Sequence, residues 1–305
     1  MINNNFYKLI IGNPVVPKAD WHIPNNPESE TIVLEHFYDE NSNNCFILED
    51  HDIDFDCKMS EKSSKVNSAT ISVYNLDQVI IDFLSFHSAD TLCVKLFFGN
   101  SKEDLKELFV GTLNSFKQSL NGTTLKTTLK VKDGEDSSQK TQTFRIFKAG
   151  TPKSVVVKTL LDDLRIPVQQ ICEIKGTLDR DFSLSGPTYP ALIQFTQSIG
   201  INTTINNNKT SLVPEKARVK EEVALISSES TLMGEVNPQV DKDKVLSVFF
   251  KCLINPLIVP QKTIYLVYDG LEGAYKVQKI RTFGDTKAGV FYSEIHAVKT
   301  EAELV

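Results

Sequence analysis

Four aspartates alternate with other residues near the start of the sequence, namely Asp50, Asp52, Asp54 and Asp56. Carboxylate oxygens are the ligands that Ca²⁺ prefers, so this spacing raises the question of a calcium site. A calcium loop, however, also needs a sharp glycine turn and a closing glutamate. Because side chains two positions apart share one face of a strand, a solvated strand face gives the same spacing, and we favour that interpretation.

A paired acid and base would indicate hydrolysis, and Glu272 and Asp285 are two carboxylates that can be considered for it. Both lie in predicted turns, and no apolar pocket is evident that would separate their pKa values. The histidines show no i,i+4 pairing, no H-E-x-x-H motif and no G-x-S-x-G context. These histidines are His22, His36, His51, His87 and His296. The sequence therefore predicts no catalytic residue, no cofactor-binding residue and no metal ligand, and we expect no enzyme activity.

Aromatic side chains offer a further kind of chemistry, because they can form a binding platform. The single tryptophan, Trp21, lies in PVVPKADWHIPNNP, where we favour an extended arm, since a lone ring is a poor platform for a sugar. The pairs Phe97-Phe98 and Phe249-Phe250 each lie in a strand-like run, where packing in the core is the default.

The composition is that of a folded chain: of 305 residues, 41% are hydrophobic and 24% are charged. No apolar run reaches the roughly eighteen residues of a transmembrane helix, so we expect no membrane span. The formal charge of −6 argues against a groove that grips phosphates, and we expect no sequence-specific nucleic-acid binding, although a genome can pass through a lumen. The five cysteines lack a C-x-x-C pair, which predicts reduced, mostly buried side chains. The N-terminus has no signal-peptide cleavage site, which predicts synthesis in the cytoplasm.

Alternation with a period of two predicts two paired strands early in the chain. In residues 46–60, the side predicted to be buried consists of Ile53, Phe55, Cys57 and Met59. In the stretch VNSATISVYNL, the residues predicted to face inward are Ala69, Ile71 and Val73, and those predicted to face outward are Thr70, Ser72 and Tyr74. Such half-buried strands must be covered on their apolar side.

A helix is predicted directly after the second strand. Asn75 can cap it, because an asparagine side chain accepts hydrogen bonds from unpaired backbone N–H groups. The predicted apolar stripe of this helix consists of Val79, Ile80, Phe83 and Leu84. Strands follow at TLCVKLFFG, ELFVGTLNSFKQSL and TTLKTTLKVKD, the last two joined by a hairpin turn at Asn121-Gly122. Residues 46–143 thus predict a first antiparallel β domain, preceded by an arm at residues 1–45.

The pattern changes after the polar run DGEDSSQKTQT. Thr151-Pro152 opens a predicted helix that Pro167 ends, and a second helix has Pro190 near its start and Gly200 at its end. A hairpin follows, turning at residues 206–208. Residues 144–216 therefore predict a small α+β module.

A charged, weakly periodic connector is predicted at residues 217–231, and its pattern favours a partly helical segment. The strands YLVYD, AYKVQKIRTFGD and VFYSEIHAV then follow, separated by glycine-containing turns. Residues 232–305 thus predict a second β domain, built as a meander.

Four stretches, in their order along the chain, resemble the baseplate hub proteins of contractile-tailed phages, which share their core with the spike proteins of type VI secretion. The stretches are FDCKMSEKSSKVNSATISVYNL, AGTPKSVVVKTLLDDLRIP, FSLSGPTYPALIQFTQSIGINTTINNNKTSLVP and INPLIVPQKTIYLVYDGLEGAYKVQKIRTFGDTKAG. The last is the most telling, because a strand is followed by a G-x-Y-x-V turn (Gly273, Tyr275, Val277) and a Gly-Asp turn (Gly284, Asp285), as in hubs.

The resemblance implies a homotrimer in which two tube-like β domains per chain form a ring of six-fold pseudosymmetry. One side of the ring would dock the hexameric tail tube protein and the other the trimeric spike protein, with other baseplate proteins as further partners. It also implies a component of the virion, located in the tail baseplate. Some hubs carry a peptidoglycan-hydrolase segment, and this sequence offers no candidate for one.

The expected fold is mainly β with an α+β insert, namely two tube-like antiparallel β-barrel domains plus a small α+β module. The expected function is that of a structural hub without a cofactor. Two alternatives stay open: a tail-associated cell-wall or carbohydrate hydrolase, and a carbohydrate-binding β module. The lack of an acid and base pair counts against the first, and the single tryptophan counts against the second.

Overall fold

The structure is a computed structural model, and it describes residues 5–12, 45–61, 66–87, 92–133, 141–164, 166, 168–207, 209–214, 223–240 and 245–300. Trp21, His22, His36 and Pro167 lie outside the described residues, as does most of the predicted arm. Two compact units are present: the described residues up to Lys132 and from 223 onward form the first, and those from Asp133 to 214 form the second.

The described residues form eighteen strands and three helices. The strands are β1 (Phe6–Gly12), β2 (Cys45–Leu48), β3 (Ile53–Ser60), β4 (Ser68–Tyr74), β5 (Cys93–Gly99), β6 (Lys106–Asn121), β7 (Thr124–Lys132), β8 (Gln142–Phe147), β9 (Val168–Ile171), β10 (Phe182–Pro187), β11 (Ile201–Asn206), β12 (Lys209–Pro214), β13 (Ala224–Ser227), β14 (Leu232–Val240), β15 (Leu246–Cys252), β16 (Thr263–Val267), β17 (Gly273–Asp285) and β18 (Val290–Lys299). The helices are α1 (Gln78–Phe86), α2 (Lys153–Leu164) and α3 (Thr188–Ser198). The mainly β fold class with an α+β insert is confirmed.

A single sheet of thirteen strands organises the described part of the first unit. Its order is β14-β15-β18-β17-β3-β4-β7-β6-β5-β1-β2, and β13 and β16 branch from β17. The first part of β17 pairs with β16 and the second part with β3, so strands from both predicted β regions join one sheet with one continuous core. This pairing leaves the sheet open rather than closed into separate barrels.

The predicted pairing of the first two strands is confirmed, because β3 and β4 are antiparallel with Phe55 opposite Ile71. All seven residues predicted to face inward are buried, with exposed fractions of 3% or less. Thr70 is exposed, as predicted, but Ser72 is buried on the other face, where its hydroxyl lies 3.4 Å from that of Thr128 on β7. The outward prediction for Ser72 is therefore wrong, because a neighbouring strand covers it.

Helix α1 follows β4, but Asn75 does not cap it. Asn75 has a left-handed backbone, with φ of 54°, and its side-chain oxygen accepts the backbone N–H of Leu125 on β7. Asn75 thus links the end of β4 to β7 and does not cap the helix. The buried face of α1 consists of Ile80, Ile81 and Leu84, while Val79 is 67% exposed, so including Val79 in the apolar stripe was wrong.

Residues Phe6–Gly12, within the predicted N-terminal arm, form β1, which pairs with both β2 and β5 and contributes buried side chains to the core. The hairpin of β6 and β7 is confirmed, although Asn121 pairs with Thr124, so the turn residues are Gly122 and Thr123. The meander of β16, β17 and β18 is also confirmed.

The second unit contains α2, α3 and two small sheets, as expected of the α+β module. Helix α2 begins directly after Pro152, and Gly200, with φ of 74°, follows the end of α3. The hairpin of β11 and β12 turns at Asn207, which has φ of 53°. Buried side chains of both helices form a core of their own.

The described part of the predicted connector contains β13, which pairs in parallel with β16. Its helical interpretation is wrong for these residues, because Ile226 is fully buried in the sheet core. Among the helices of the described residues, none combines the length and the hydrophobicity needed to cross a membrane.

Candidate interaction surfaces

Asp54 and Asp56 of the early alternating row lie in β3 on the sheet face opposite the core, which we call the outer face, whereas Asp50 and Asp52 precede β3. Asp56 accepts two hydrogen bonds from the Arg281 guanidinium on β17, at 2.9 and 3.0 Å. Asp54 accepts hydrogen bonds from Lys126 at 2.8 Å and from the Tyr74 hydroxyl at 2.7 Å. These carboxylates serve cross-strand ion pairs, which agrees with a strand face rather than a calcium loop.

Electrostatics at Asp56 follow from these contacts. Burial raises the pKa of its carboxyl, but the hydrogen bonds and charges of Arg281 and Lys58 outweigh burial, and the pKa lies below its ordinary value. Asp56 is therefore ionised at neutral pH and holds both cations. Among the described residues, no group of three or more His, Cys, Asp and Glu side chains is arranged to hold a metal ion.

The carboxylates considered as an acid and base pair are not brought together. Glu272 precedes β17 and Asp285 is its last residue, so the length of the strand separates them by roughly 30–40 Å. The Asp285 carboxylate accepts the backbone N–H groups of Lys287 and Ala288, at 2.8 and 2.9 Å. Asp285 thus shapes the turn between β17 and β18, which is a structural role.

The described histidines take part in contacts within the fold. His296 on β18 stacks on Phe249 of β15 with a centroid distance of 4.0 Å and an interplanar angle of 4°. Burial and the charge of Lys279 lower the pKa of His296 below its ordinary value, so the ring is neutral at pH 7. His87 contacts the carbonyl of Phe83 at the end of α1, and His51 accepts a hydrogen bond from Tyr7 at its backbone carbonyl.

A groove of about 860 Å³ crosses the outer face of the first unit. It is lined by β3, β14, β15, β17 and β18, together with the first residue of β4 and the two residues before it. Its charged side chains are Lys58, Glu235, Lys251, Lys279, Arg281 and Glu294. We call this surface the outer-face groove, and sequence reasoning did not find it.

Ion pairs organise most of the charges in the outer-face groove. Lys251 lies 3.1 Å from Glu294, and Arg281 lies 3.7 Å from the same carboxylate. Lys58 lies 3.2 Å from Asp56, which also holds Arg281. The strand register explains this ladder, because Lys251, Glu294, Arg281 and Lys58 are direct neighbours across four strands.

Strand β14 forms one end of the main strand path and is mostly exposed. Unpaired edge strands present N–H and C=O groups that can pair with another chain. Here the pairing with β15 shifts between Met233 and Asn237, Gly234 has φ of 81°, and Pro238 has no N–H. A bulge and a proline are features that limit edge-to-edge pairing with another chain.

The second unit exposes two large apolar side chains on β8. Phe144 is 74% exposed and Ile146 is 67% exposed. Between them, Arg145 points to α2 and makes two hydrogen bonds with Asp163, at 2.8 and 2.6 Å. This salt bridge fixes β8 so that the two apolar side chains face away from the core.

Comparison with known proteins identifies the fold. No protein-family model matches the sequence, and no curated protein sequence matches it. Among solved structures, the 43 kDa tail protein of prophage MuSo2 from Shewanella oneidensis matches 84% of this chain and 95% of its own, with 8% identity and a TM-score of 0.61. The tail protein from Neisseria meningitidis MC58 matches 84% of this chain and 94% of its own, with 9% identity and a TM-score of 0.61.

A type VI secretion component has the same fold. The c3393 protein of E. coli, described as similar in structure to the phage T4 tail proteins gp27 and gp5, matches 82% of this chain and 74% of its own, with 8% identity and a TM-score of 0.56. At such low identity the likeness shows the fold alone. The chain therefore has the fold of phage tail and type VI secretion proteins, and the resemblance inferred from the sequence is confirmed at that level.

Proposed function

We propose that this chain is a structural protein of a phage tail, and more specifically a baseplate hub whose trimeric ring joins the hexameric tail tube to the trimeric spike. The observation that carries the proposal is the extent of the fold likeness, which covers 95% and 94% of two phage tail proteins. A likeness over nearly the whole of both proteins is what a shared architectural role requires, whereas a shared small domain would leave most of them unmatched.

The geometry of the described residues supports a structural role. The described carboxylates and histidines that were considered for catalysis form ion pairs, turn hydrogen bonds and ring stacking. The alternative hydrolase gains no support from Glu272 and Asp285, which lie at opposite ends of β17. We propose that the protein is not an enzyme and needs no cofactor.

The proposed assembly uses both β regions of the chain. We propose that residues 46–143 and 232–305 act as two tube-like units, so that three chains supply the six units that match a hexameric tube. Residues 217–231 would connect the α+β module at residues 144–216, which would lie outside the ring, to the tube-like unit at residues 232–305. There, exposed Phe144 and Ile146 offer contacts for other baseplate proteins. Closed cyclic symmetry would keep these contacts from continuing as an open filament.

The assembly prediction is tested by mass. We expect size exclusion with light scattering to find three copies of the 34.2 kDa chain per complex when the protein is mixed with the spike protein of the same tail. The protein alone serves as the control, because rings of this kind can require a partner before they close. A stable dimer or hexamer, with or without the spike, would contradict the hub and favour a carbohydrate-binding module.

The absence of catalysis is tested with cell-wall substrate. We expect the purified protein to leave a peptidoglycan suspension turbid, because the described side chains that could act as acid and base are far apart. We also expect a chelator to leave the melting temperature unchanged. Lysozyme is the positive control, and clearing of the suspension or a chelator-dependent melting temperature would overturn the structural role.

A further inference from the structure

The outer-face groove has the opposite charge to the chain as a whole. Four cationic and two acidic side chains line it, and Asp56, which pairs with Lys58 and Arg281 beside it, brings the local formal charge to +1. The complete chain carries −6. A local reversal of charge on an acidic protein favours ligands with carboxylates or other anions, because unlike charges attract most strongly inside a concave surface.

Lys279 is the cation best placed to meet such a ligand. Arg281 and Lys58 are held by Asp56, and Lys251 is held by Glu294. Lys279 lies between Ser60 on β3 and the neutral His296 on β18, and it makes no ion pair within the described part of the chain. Its side chain is exposed, so an incoming anion reaches it without breaking an existing pair.

Apolar surface lies beside these charges. The Phe249 ring stacks on His296 in the groove, and Met233 and Val66 are 41% and 38% exposed at its sides. The Nδ1 atom of His296 is buried and has no hydrogen-bond partner in the described structure. The groove thus combines an available cation with an aromatic stack within one concave surface.

We propose that the outer-face groove binds an extended acidic segment of a partner protein, in which carboxylate side chains alternate with apolar ones. Carboxylates would contact Lys279 and the neighbouring ion-pair ladder. Apolar side chains would contact Phe249 and Met233. The spacing suits this partner, because side chains on one face of a strand and of an extended peptide both recur about every 7 Å. The volume also lies within the range of roughly 300–1,000 Å³ that ligand sites occupy.

An acidic peptide fits the groove better than nucleic acid does. Three of the four lining cations are already paired with carboxylates, and phosphate binding relies on clustered cations that are free to replace counterions. Apolar side chains such as Met233 also have no role in holding a phosphate backbone. This inference does not depend on the trimeric ring, and it can be tested on the isolated protein.

The test is fluorescence anisotropy at low salt with a short labelled peptide in which Glu and Leu alternate. We expect saturable binding to the full chain, and much weaker binding of matched peptides in which Gln or Lys replaces Glu. Lys279→Glu and Phe249→Ala are each expected to weaken binding at least about tenfold, since each removes one of the two contacts. Lys279→Gln provides a milder charge change if Lys279→Glu does not fold. Lys102→Glu, an exposed position in the turn between β5 and β6, makes the same charge change outside the groove and is expected to bind as the parent does.

Three results would overturn the proposal. The first is no saturable binding of the Glu-Leu peptide. The second is equal binding of the Lys-Leu peptide, or equal weakening by Lys102→Glu and Lys279→Glu, since either result would make the interaction unspecific. The third is that single-stranded DNA competes with the peptide, binds more tightly than the peptide does, and loses this binding in Lys279→Glu. Such a result would assign the groove to nucleic acid. None of these results changes the number of copies in a complex with the spike, so the two proposals fail separately.

Discussion

Ile71→Asp is expected to destabilise the first unit by about 4 kcal/mol or more, whereas Thr70→Asp is expected to cost less than about 1 kcal/mol. Ile71 is fully buried and lies opposite Phe55 on β3 and Leu129 on β7, so a carboxylate there would lose its hydration without gaining a partner. Thr70 is exposed on the outer face, between Asp56 and Lys130. A new carboxylate at Thr70 would meet one like and one unlike charge in water, and the two effects nearly cancel.

Denaturant unfolding of the two variants beside the parent protein measures this difference. Both substitutions introduce the same side chain into neighbouring positions of one strand, so propensity and net charge are matched. The free energy of unfolding should fall steeply for Ile71→Asp only. Equal losses for the two variants would show that the faces of β4 are not as different as their burial indicates.

Strand faces were predictable from this sequence because one residue type dominates each face. In β3 and β4 the buried apolar residues stand at every second position, and the alternation identified all of these apolar positions. Ser72 was misassigned because alternation cannot show that the other face of a strand is covered too. The hidden partner there is Thr128, which is distant in sequence.

Turns and caps were harder to predict, because one residue type serves several roles. Asn75 has the chemistry of a helix cap, but its left-handed backbone lets the side chain bind Leu125 instead. The local sequence favours both outcomes, and the neighbouring strand decides between them. In the same way, Pro238 is a signal against a strand, yet it lies in β14, where an edge strand tolerates a missing N–H.

The outer-face groove was not predictable from the sequence, because its lining comes from six strands. Lys58, Glu294 and Lys251 are neighbours only through the register of the sheet. Phe249 was expected in the core, and a weak signal against that was present. In the run LSVFFKC, Val248 and Phe250 alternate with Ser247 and Phe249, so only one of the two phenylalanines can face inward.

Within the Gly-Asp motif near the end of the chain, Gly284 has a different role from the expected turn, whereas Asp285 does shape the turn after β17. Gly284 lies inside β17, where its direct neighbours across the sheet are Phe55 on β3 and Phe291 on β18. A Cβ atom at Gly284 would lie 2.2 Å from the Phe55 ring and 2.9 Å from the Phe291 ring. The missing side chain is therefore what makes room for an aromatic cluster, in which Phe98 lies 6.3 Å from Phe55 and 5.5 Å from Phe291.

Gly284→Ala is accordingly expected to destabilise the first unit by about 3 kcal/mol, because a buried ring must move within a packed core. The φ angle of Gly284 lies outside the left-handed region, so the cost comes from the clash and not from the backbone.

Phe55→Leu removes the two ring atoms closest to the new Cβ. The double variant should therefore lose less stability than the sum of the two single losses, by about 1–2 kcal/mol. Denaturant unfolding of the parent, both single variants and the double variant measures this coupling. Strictly additive losses would show that Gly284 and Phe55 do not share the space, and that Gly284 is present for another reason.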